Sequence, residues 1–332
     1  MAGKEDPLRI AVIGAGEMSA WAILPALHFA PLDLRSICDL DEDRAREAAT
    51  KFGSGRWYTD YREMWDKEDI EAVIVQMNPQ PRQQVVLDAL AAGYHVWMPK
   101  PPATSLNASQ ELARAADTSG KILMVNFQRR FSFAVTRARE IMQRDSFGPL
   151  TQLSCSFCSG LFTGARGREY EDPIHAFLLD MAPHHLDLAT YLGGRVQRMS
   201  VFHTQSGDGI ALAVSVEFAS GAVGTLQLNS QRIWWRNYDR IEITGTGEYL
   251  VLDDLWSLKH YTEDQNTFTE NWSDERSGEL TGDGPCLIEF VNAIREQRAP
   301  VSGIHDAVET MKLYQAIYGA VRDGRAGIIF DQ

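Results

Sequence analysis

The sequence predicts an α/β protein of two domains: a doubly wound parallel sheet of the Rossmann type, then an α+β domain with a large, mainly antiparallel open sheet. Near the N-terminus an apolar run, residues 10–13, ends in two closely spaced glycines and is followed by a helical pattern. Strand and helix patterns alternate as far as residue 126, which is typical of a parallel sheet with helices on both faces. Beyond residue 130, successive strand patterns are joined by short turns, which indicates antiparallel pairing.

In the first half, residues 72–75 are continuously apolar, as expected for a strand covered on both faces. Gly53, Gly93 and Gly120 each follow a helical pattern, where a left-handed capping residue is favoured. The predicted strands are 8–13, 34–38, 71–76, 94–98 and 122–126, and the predicted helices are 17–30, 41–52, 60–67, 80–92 and 106–119. Ligands of such sheets bind at the carboxyl ends of the strands, so the loops after Val75 and Trp97 are the first candidates for a site.

The second half has a different order of elements. We predict helices at 131–143 and 176–192, and strands at 150–157, 196–204, 210–217, 222–229, 239–245 and 248–252. Two tail helices, 285–296 and 303–323, and a strand at 327–330 follow, whereas the polar residues 260–284 are expected to form a surface excursion. The predicted domains are 1–127 and 128–332, with a C-terminal helix packing back on the first domain.

Composition excludes several classes of partner. The net charge of −13 argues against nucleic acid and anionic membrane, and no apolar run reaches the length of a membrane span. The N-terminal residues MAGKEDP are polar and lead directly into the first strand, so we expect no signal peptide and a cytoplasmic protein. Four cysteines fit a reducing compartment. Cys155 and Cys158 lie three apart on a predicted strand, so their thiols face opposite sides, and no metal site is predicted.

The paired glycines fit a dinucleotide-binding turn. Gly14 can form the tight turn, and Gly16 allows the backbone to approach a pyrophosphate at the start of a helix, beside Glu17 and Met18. Ser19 replaces the third glycine of this pattern but is small enough to keep strand and helix close. Asp39 follows the second strand at about the ~20-residue spacing of a ribose-binding acid, which favours NAD over NADP. The alternative is that Asp39 or Asp41 only caps the next helix.

Two further groups of residues carry candidate chemistry. Lys100 follows a strand within a proline-rich loop and can stabilise a developing oxyanion, although a solvated surface lysine is the alternative. Asp180 and His184 are four apart in a predicted helix, hence on one face, with Asp187 a turn further. A histidine beside carboxylates suits a general base, and a metal site is the competing interpretation. His185 points about 100° away and is assigned to packing or to the surface.

With these motifs the chain resembles the glucose–fructose oxidoreductase, inositol dehydrogenase and rhizopine-catabolism (Gfo/Idh/MocA) family over nearly its whole length. The resemblance implies that Lys100 and His184 act on the reacting hydroxyl or carbonyl and that Asp180 orients a sugar or cyclitol. It also implies cofactor contacts from Asn78, Pro79 and Gln83, and an open sheet face that forms a homodimer or homotetramer. Besides Ser19, the chain departs from the pattern where Pro99 replaces a glutamate and Gln83 a histidine.

Cues to the substrate are fewer. Arginines can clamp a carboxylate or phosphate, and aromatic side chains can cover a sugar ring or fill a core. The residues considered for these roles are Arg129, Arg130, Arg166, Arg168, Arg232, Arg236, Trp234, Trp235 and Tyr238, together with Tyr170 and His175, which precede the predicted catalytic helix. We select Arg129, Arg168, Tyr170 and His175 as candidate substrate contacts, beside Asp180 and His184.

The sequence therefore predicts an NAD-dependent oxidoreductase of carbohydrate metabolism. It transfers a hydride between nicotinamide and a secondary hydroxyl or ketone of a sugar, sugar derivative or cyclitol. One alternative is an enzyme that retains NAD and reduces and reoxidises it within a turnover, giving glycoside cleavage or epimerisation. Another is a non-catalytic nucleotide- or metabolite-binding protein, motivated by Pro99 and Gln83.

Overall fold

A computed structural model of the chain describes residues 6–158, 172–207, 209–231, 238–262, 264, 266–271, 282–325 and 327–330. These residues form two units. The first comprises the described residues of Met1–Gln128 and Thr281–Val308, and the second those of Arg129–Leu280 and Glu309–Gln332. Residues of the predicted second domain, 282–308, thus complete the first unit.

The first unit is built on a six-stranded sheet in the order β3-β2-β1-β4-β5-β6, in which every neighbouring pair is parallel. The strands are β1 (Leu8–Ile13), β2 (Leu32–Cys38), β3 (Trp57–Tyr58), β4 (Ala72–Val75), β5 (His95–Pro99) and β6 (Leu123–Asn126). The predicted doubly wound parallel sheet is confirmed. The two-residue β3 was missed, because so short a strand leaves no periodic pattern.

The helices of this unit begin and end where local chemistry requires. The first five are α1 (Leu24–Ala26), α2 (Glu42–Phe52), α3 (Tyr61–Lys67), α4 (Pro79–Ala91) and α5 (Leu106–Ser119). Asp41 and Ser105 cap α2 and α5 by accepting backbone N–H bonds. Gly53 and Gly120 end the same helices in the left-handed conformation, as predicted.

The helix predicted at 17–30 is irregular. A π turn, Ser19–Ile23, is followed by the single α turn of α1 and a 3₁₀ turn, Leu27–Phe29. Leu24 donates its backbone N–H to the Ser19 carbonyl, five residues back. Pro25 has no N–H to donate, so the ordinary helical ladder cannot continue through it.

Helix α9 (Asp283–Arg295) packs within the first unit, against the 3₁₀ turn and β6. Gly284 lies so close to Phe29 that an added Cβ would come within 3.0 Å of the Phe29 side chain. Beyond this helix, the Val125 N–H donates to the Ser302 carbonyl at 2.9 Å. The end of β6 is therefore held by a segment distant in sequence.

In the second unit, nine described strands form one sheet in the order β14-β13-β12-β11-β7-β10-β9-β8-β15. They are β7 (Leu150–Cys158), β8 (Val196–Ser206), β9 (Gly209–Phe218), β10 (Val223–Asn229), β11 (Tyr238–Gly245), β12 (Tyr249–Asp253), β13 (Ser257–Tyr261), β14 (Thr267–Asn271) and β15 (Gly327–Ile329). Only the β7–β10 pair of these is parallel, so the mainly antiparallel sheet is confirmed. Cys155 is buried on β7 and Cys158, on the other face, is partly exposed.

The predicted surface excursion at 260–284 is partly wrong. Residues of β13 and β14 pair antiparallel and extend the sheet beyond β12. Strand β14 is polar and largely exposed, so its sequence lacks the apolar alternation by which strands are recognised.

Helices α6 (Phe133–Met142), α7 (Pro173–Asp180) and α8 (Pro183–Gly193) belong to the second unit, and α10 (Ile304–Arg322) contributes residues to both units. The single helix predicted at 176–192 is wrong. It breaks between α7 and α8, because Pro183 lacks the N–H that would bond to the preceding turn. Both pieces pack on the large sheet, α7 against β9 and α8 against β7 and β10.

Candidate active site

The glycine turn follows β1 at the carboxyl end of the parallel sheet. Gly14 has φ +99, and an added Cβ would overlap the Gln76 carbonyl, so only glycine fits there. At Gly16 an added Cβ would meet no atom within 4 Å. Glu17 and Met18 are exposed next to this open space, whereas Ser19 is buried, as its small size allows.

Asp39 is anchored to the same turn. Its Oδ2 accepts the Ala15 N–H at 2.7 Å, and its Oδ1 accepts the Asp41 N–H at 3.0 Å. Asp41 caps α2 by accepting the Arg44 N–H at 3.1 Å. Capping is therefore assigned to Asp41, and the Asp39 carboxylate is fixed beside the glycine turn, a bond that the sequence did not reveal.

In the loop after β4, Asn78 precedes α4 and Pro79 is its first residue. Gln83, predicted to contact the cofactor, donates its side-chain N–H to Glu111 of α5 at 2.7 Å. The neighbouring Arg82, which no motif singled out, is buried and donates to the Met77 and Pro101 carbonyls.

Lys100 follows the last residue of β5, Pro99, which lies in register with Asn126 at the end of β6. Its side chain is half-buried. Asn126 is buried and donates to the Asp283 carboxylate at 3.0 Å. Lys100 thus stands at the carboxyl edge of the sheet in the first unit, on the same edge as the glycine turn.

Asp180 and His184 belong to the second unit. Asp180 is the last residue of α7 and His184 the second of α8, so the argument that placed them on one face of one helix is wrong. His184 is 9% exposed and Asp180 is half-buried. Asp187, predicted near His184, accepts two hydrogen bonds from Arg130, at 2.8 and 2.6 Å.

His185 is fully buried, so its assignment to packing is confirmed and the surface alternative is wrong. The ring stacks on Phe157, with centroids 3.9 Å apart, and contacts the Asp239 carboxylate. Burial, partly offset by Asp239, lowers the pKa of His185 to about 4. Burial raises the pKa of Asp239, but the positive charge of Arg129 and the contact with His185 outweigh it and hold that pKa at about 2.

Arg129, predicted to contact substrate, has its guanidinium inside this cluster. Its Nη1 donates to the Asp239 carboxylate at 2.5 Å, and the side chain is 10% exposed. No pattern in the sequence pointed to Asp239, because it is distant in sequence from both Arg129 and His185.

His175 of α7 is half-buried, and its Nδ1 lies 2.6 Å from the Tyr314 hydroxyl. Burial, partly offset by Asp172, lowers the pKa of His175. Asp172 caps α7 and accepts the Tyr318 hydroxyl at 2.7 Å. The predicted substrate residues Arg168 and Tyr170 lie outside the described residues. So do other residues that were considered for this role: Arg166, Arg232, Trp234, Trp235, Arg236 and the side chain of Tyr238.

A groove of about 690 Å³ in the first unit is lined by His95, Leu123 and Ile304, among others. His95 and Leu123 begin β5 and β6, so this groove lies at the sheet edge opposite Lys100. Within the described ranges, no group of three or more His, Cys, Asp or Glu side chains is arranged to hold a metal ion. No helix in the same part of the chain is both long and apolar enough to cross a membrane.

Comparison with known families gives matches in both units. Residues 8–127 match an oxidoreductase family with an NAD-binding Rossmann fold, and residues 135–251 match the GFO/IDH/MocA C-terminal domain. The chain belongs to the Gfo/Idh/MocA family. Family membership makes it an oxidoreductase with NAD as cofactor, and the glycine turn fits that cofactor because the space beside Gly16 is open and Asp39 is fixed next to it.

Curated Gfo/Idh/MocA relatives match most of the chain. It is 26% identical to the myo-inositol 2-dehydrogenase of Thermotoga maritima over 261 residues, 75% of this chain and 76% of that protein. It is 25% identical to the levoglucosan dehydrogenase of Pseudarthrobacter phenanthrenivorans over 319 residues, 84% and 81% of the two chains. A solved structure of levoglucosan dehydrogenase with NADH and levoglucosan has a TM-score of 0.86 at 20% identity, covering 98% of this chain and 100% of that one.

Proposed function

We propose that this protein is an NAD-dependent dehydrogenase of a sugar, sugar derivative or cyclitol, acting on a secondary hydroxyl or its ketone. The observation that carries the proposal is the built dinucleotide turn, in which an anchored Asp39 lies beside the open space at Gly16. The relatives named as inositol and levoglucosan dehydrogenases support the substrate class.

The cofactor would be held by the first unit. Gly14 and Gly16 bring the backbone to the pyrophosphate, next to Glu17 and Met18 at the start of the helical segment. Asp39 accepts hydrogen bonds from the adenosine ribose and repels a 2′-phosphate, which favours NAD over NADP. Asn78 and Pro79 contact the cofactor from the loop after β4, whereas the Gln83 amide is engaged with Glu111.

When bound, NAD supplies the acceptor for the hydride. His184 takes the hydroxyl proton as general base, and Lys100 stabilises the negative charge that develops on the same oxygen. Asp180 orients the substrate by accepting a neighbouring hydroxyl. In the reductive direction His184 returns the proton to the oxygen.

We assign His175 and Tyr314 of the second unit to the substrate pocket, together with Asp180 and His184. The lowered pKa keeps His175 neutral at pH 7, so its Nδ1 can accept the Tyr314 hydroxyl. Neutral donors and acceptors suit a polyol. The Arg129 charge is compensated by Asp239, so we do not assign it to substrate.

The test is the absorbance of NADH, followed while the purified protein is mixed with NAD or NADP and a panel of inositols, sugars and sugar acids. We expect an increase that depends on substrate and is larger with NAD. His184→Ala should lower kcat about 10²–10⁴-fold, the usual contribution of general acid–base catalysis. The exposed His203→Ala on β8 is the matched control and should leave kcat unchanged.

Two outcomes would contradict the proposal. Retention of NAD through purification, with turnover but no net NADH, would indicate an internal redox cycle such as glycoside cleavage or epimerisation. Binding of NAD without turnover would indicate a nucleotide- or metabolite-binding protein. A turnover that Lys100→Ala abolishes would exclude that alternative.

We also propose a homodimer or homotetramer that forms through the large sheet. On the exposed face of this sheet, Phe202 of β8 is 73% exposed. It is paired with Ala213 of β9, which is paired in turn with Gln227 of β10. A cytoplasmic location fits the four cysteines, which are all free thiols.

A further inference from the structure

Arg82 is a charged side chain in the interior of the first unit. It lies on α4 and is 1% exposed, which places it among the largest fully buried side chains of the described residues. Burial of a guanidinium is costly unless hydrogen bonds satisfy it. Its Nη1 donates to the Met77 carbonyl at 2.8 Å, and its Nη2 donates to the Pro101 carbonyl.

These two carbonyls come from neighbouring loops at one edge of the sheet. Met77 lies between β4 and α4, and Pro101 directly follows Lys100 after β5. Strands β4 and β5 are parallel partners, so both loops leave the sheet at its carboxyl edge. Arg82 therefore links the loop that carries Asn78 and Pro79 to the loop that carries Lys100.

The planar guanidinium suits this link. Its nitrogens project in fixed directions, so two acceptors that bind it are held at a fixed separation. An apolar residue could fill the same space but would leave both carbonyls without this donor, at the cost of an unsatisfied buried group. The next residue of α4, Gln83, instead donates to Glu111 of α5.

We infer that Arg82 is a positioning residue, which holds the Lys100 loop at a fixed distance from the cofactor-side loop. The inference rests on the proposed function for the consequence in catalysis, but the effect on Lys100 itself is measurable without a substrate. No motif in the sequence predicts this role.

The test compares Arg82→Ala, Arg82→Lys and the matched control Val86→Ala, which truncates a fully buried side chain on the same helix. Each full-length protein, saturated with NADH, is acetylated with acetic anhydride, and peptide mass spectrometry gives the rate at Lys100 relative to Lys121. Lys121 precedes β6 at the opposite edge of the sheet and serves as internal reference.

We expect Arg82→Ala to raise the Lys100:Lys121 ratio severalfold, because a released loop exposes the half-buried Lys100. Added guanidinium ion should restore the ratio, and Arg82→Lys, which cannot bridge both carbonyls with a planar fork, should raise it less. Val86→Ala should leave it unchanged. The inference is overturned if the Lys100:Lys121 ratio of Arg82→Ala or of Arg82→Lys equals that of Val86→Ala. If Arg82→Ala does not fold, the comparison is made with Arg82→Lys alone.

Turnover separates this inference from the proposed function. If the wild type oxidises a sugar, Arg82→Ala should lower kcat by about 10²-fold, the usual effect of displacing a catalytic group by roughly 1 Å. The KM for NAD should change little, and added guanidinium should restore kcat. If the wild type oxidises no member of the panel while the ratio still depends on Arg82, the proposed function fails and the positioning role holds.

Discussion

Gly14 and Gly16 lie two residues apart, but they are glycines for different reasons. The Gly14 backbone has a positive φ, and its Cα faces the Gln76 carbonyl, so the folded chain itself requires glycine. Gly16 faces open space, so nothing in the chain excludes a side chain there. A glycine that the fold does not need points to a ligand that approaches the backbone.

These two sites give separable predictions. Gly14→Ala should lower the free energy of unfolding by at least about 1–2 kcal/mol, the cost of a left-handed backbone at a residue with a Cβ. Gly16→Ala should unfold like the wild type without NAD but lose most of the stabilisation that NAD gives, about 2.7 kcal/mol at roughly 100 times Kd. Thermal unfolding with and without NAD measures both. Full NAD stabilisation of Gly16→Ala would contradict the assignment of the pyrophosphate to this turn.

Helix α8 shows how an element depends on what it packs against. Pro183 starts it, and its buried face is held to the sheet by His185, which lies against Phe157 and Asp239. Burial keeps His185 neutral near pH 7, and the charges of Asp239 and Arg129 are paired with one another beside it. This polar cluster fixes the start of the helix that carries His184.

The cluster predicts a pH dependence of stability. His185 has a folded pKa of about 4, below the ordinary 6.5, so between these values the unfolded chain binds the additional proton. Stability should therefore fall as the pH is lowered from 6.5 to 4, by on the order of 3 kcal/mol from this group. His185→Gln should flatten this part of the curve, measured by urea unfolding across the range.

The exposed His203→Gln is the control for that series and should keep the wild-type slope. The same slope in His185→Gln as in the wild type would show that other buried groups, such as His95, whose pKa burial lowers to about 4, account for the whole effect. The Asp239 carboxyl titrates at lower pH, near its pKa of about 2, and does not enter this window.

In the molecule as a whole, the candidate site residues are distributed over both units of the chain. Lys100 and the dinucleotide turn belong to the first unit, and Asp180 and His184 to the second. The first unit is completed by residues 282–308, which follow strands β7 to β14 of the large sheet in the sequence and precede its last strand, β15. The exposed face of that sheet is the surface that we assign to self-association.

This assignment predicts that Phe202→Lys lowers the oligomeric state. A charge on that face opposes burial against a second copy, whereas the stability of the folded chain should change little because Phe202 is already exposed. Size-exclusion chromatography with light scattering measures the mass. Leu40→Lys, which replaces an 89% exposed apolar side chain in the first unit, is the control. An unchanged mass for Phe202→Lys, or a monomeric wild type, would contradict the proposal.

Patterns within short stretches of sequence were sufficient for the parallel sheet, its capped helices and the glycine turn, because periodicity and capping act between near neighbours. Lys100 and Asp39 could be identified because each directly follows an apolar strand. The polar edge strand β14 could not be recognised from short-range patterns, because its apolar alternation is weak. The break at Pro183 has a short-range signal, the proline itself, but the helical period on both sides of it led to the prediction of a single helix.

Contacts between distant residues were decided by the folded chain alone. The Ala15 N–H meets Asp39, Arg82 meets Pro101, and Arg129 meets Asp239, and no spacing in the sequence specifies these pairs. The physical reason is that a buried polar group takes whichever partner the packing of strands and helices brings to it. The sequence thus determined which chemical groups are available, and the fold determined which of them hold the others in place.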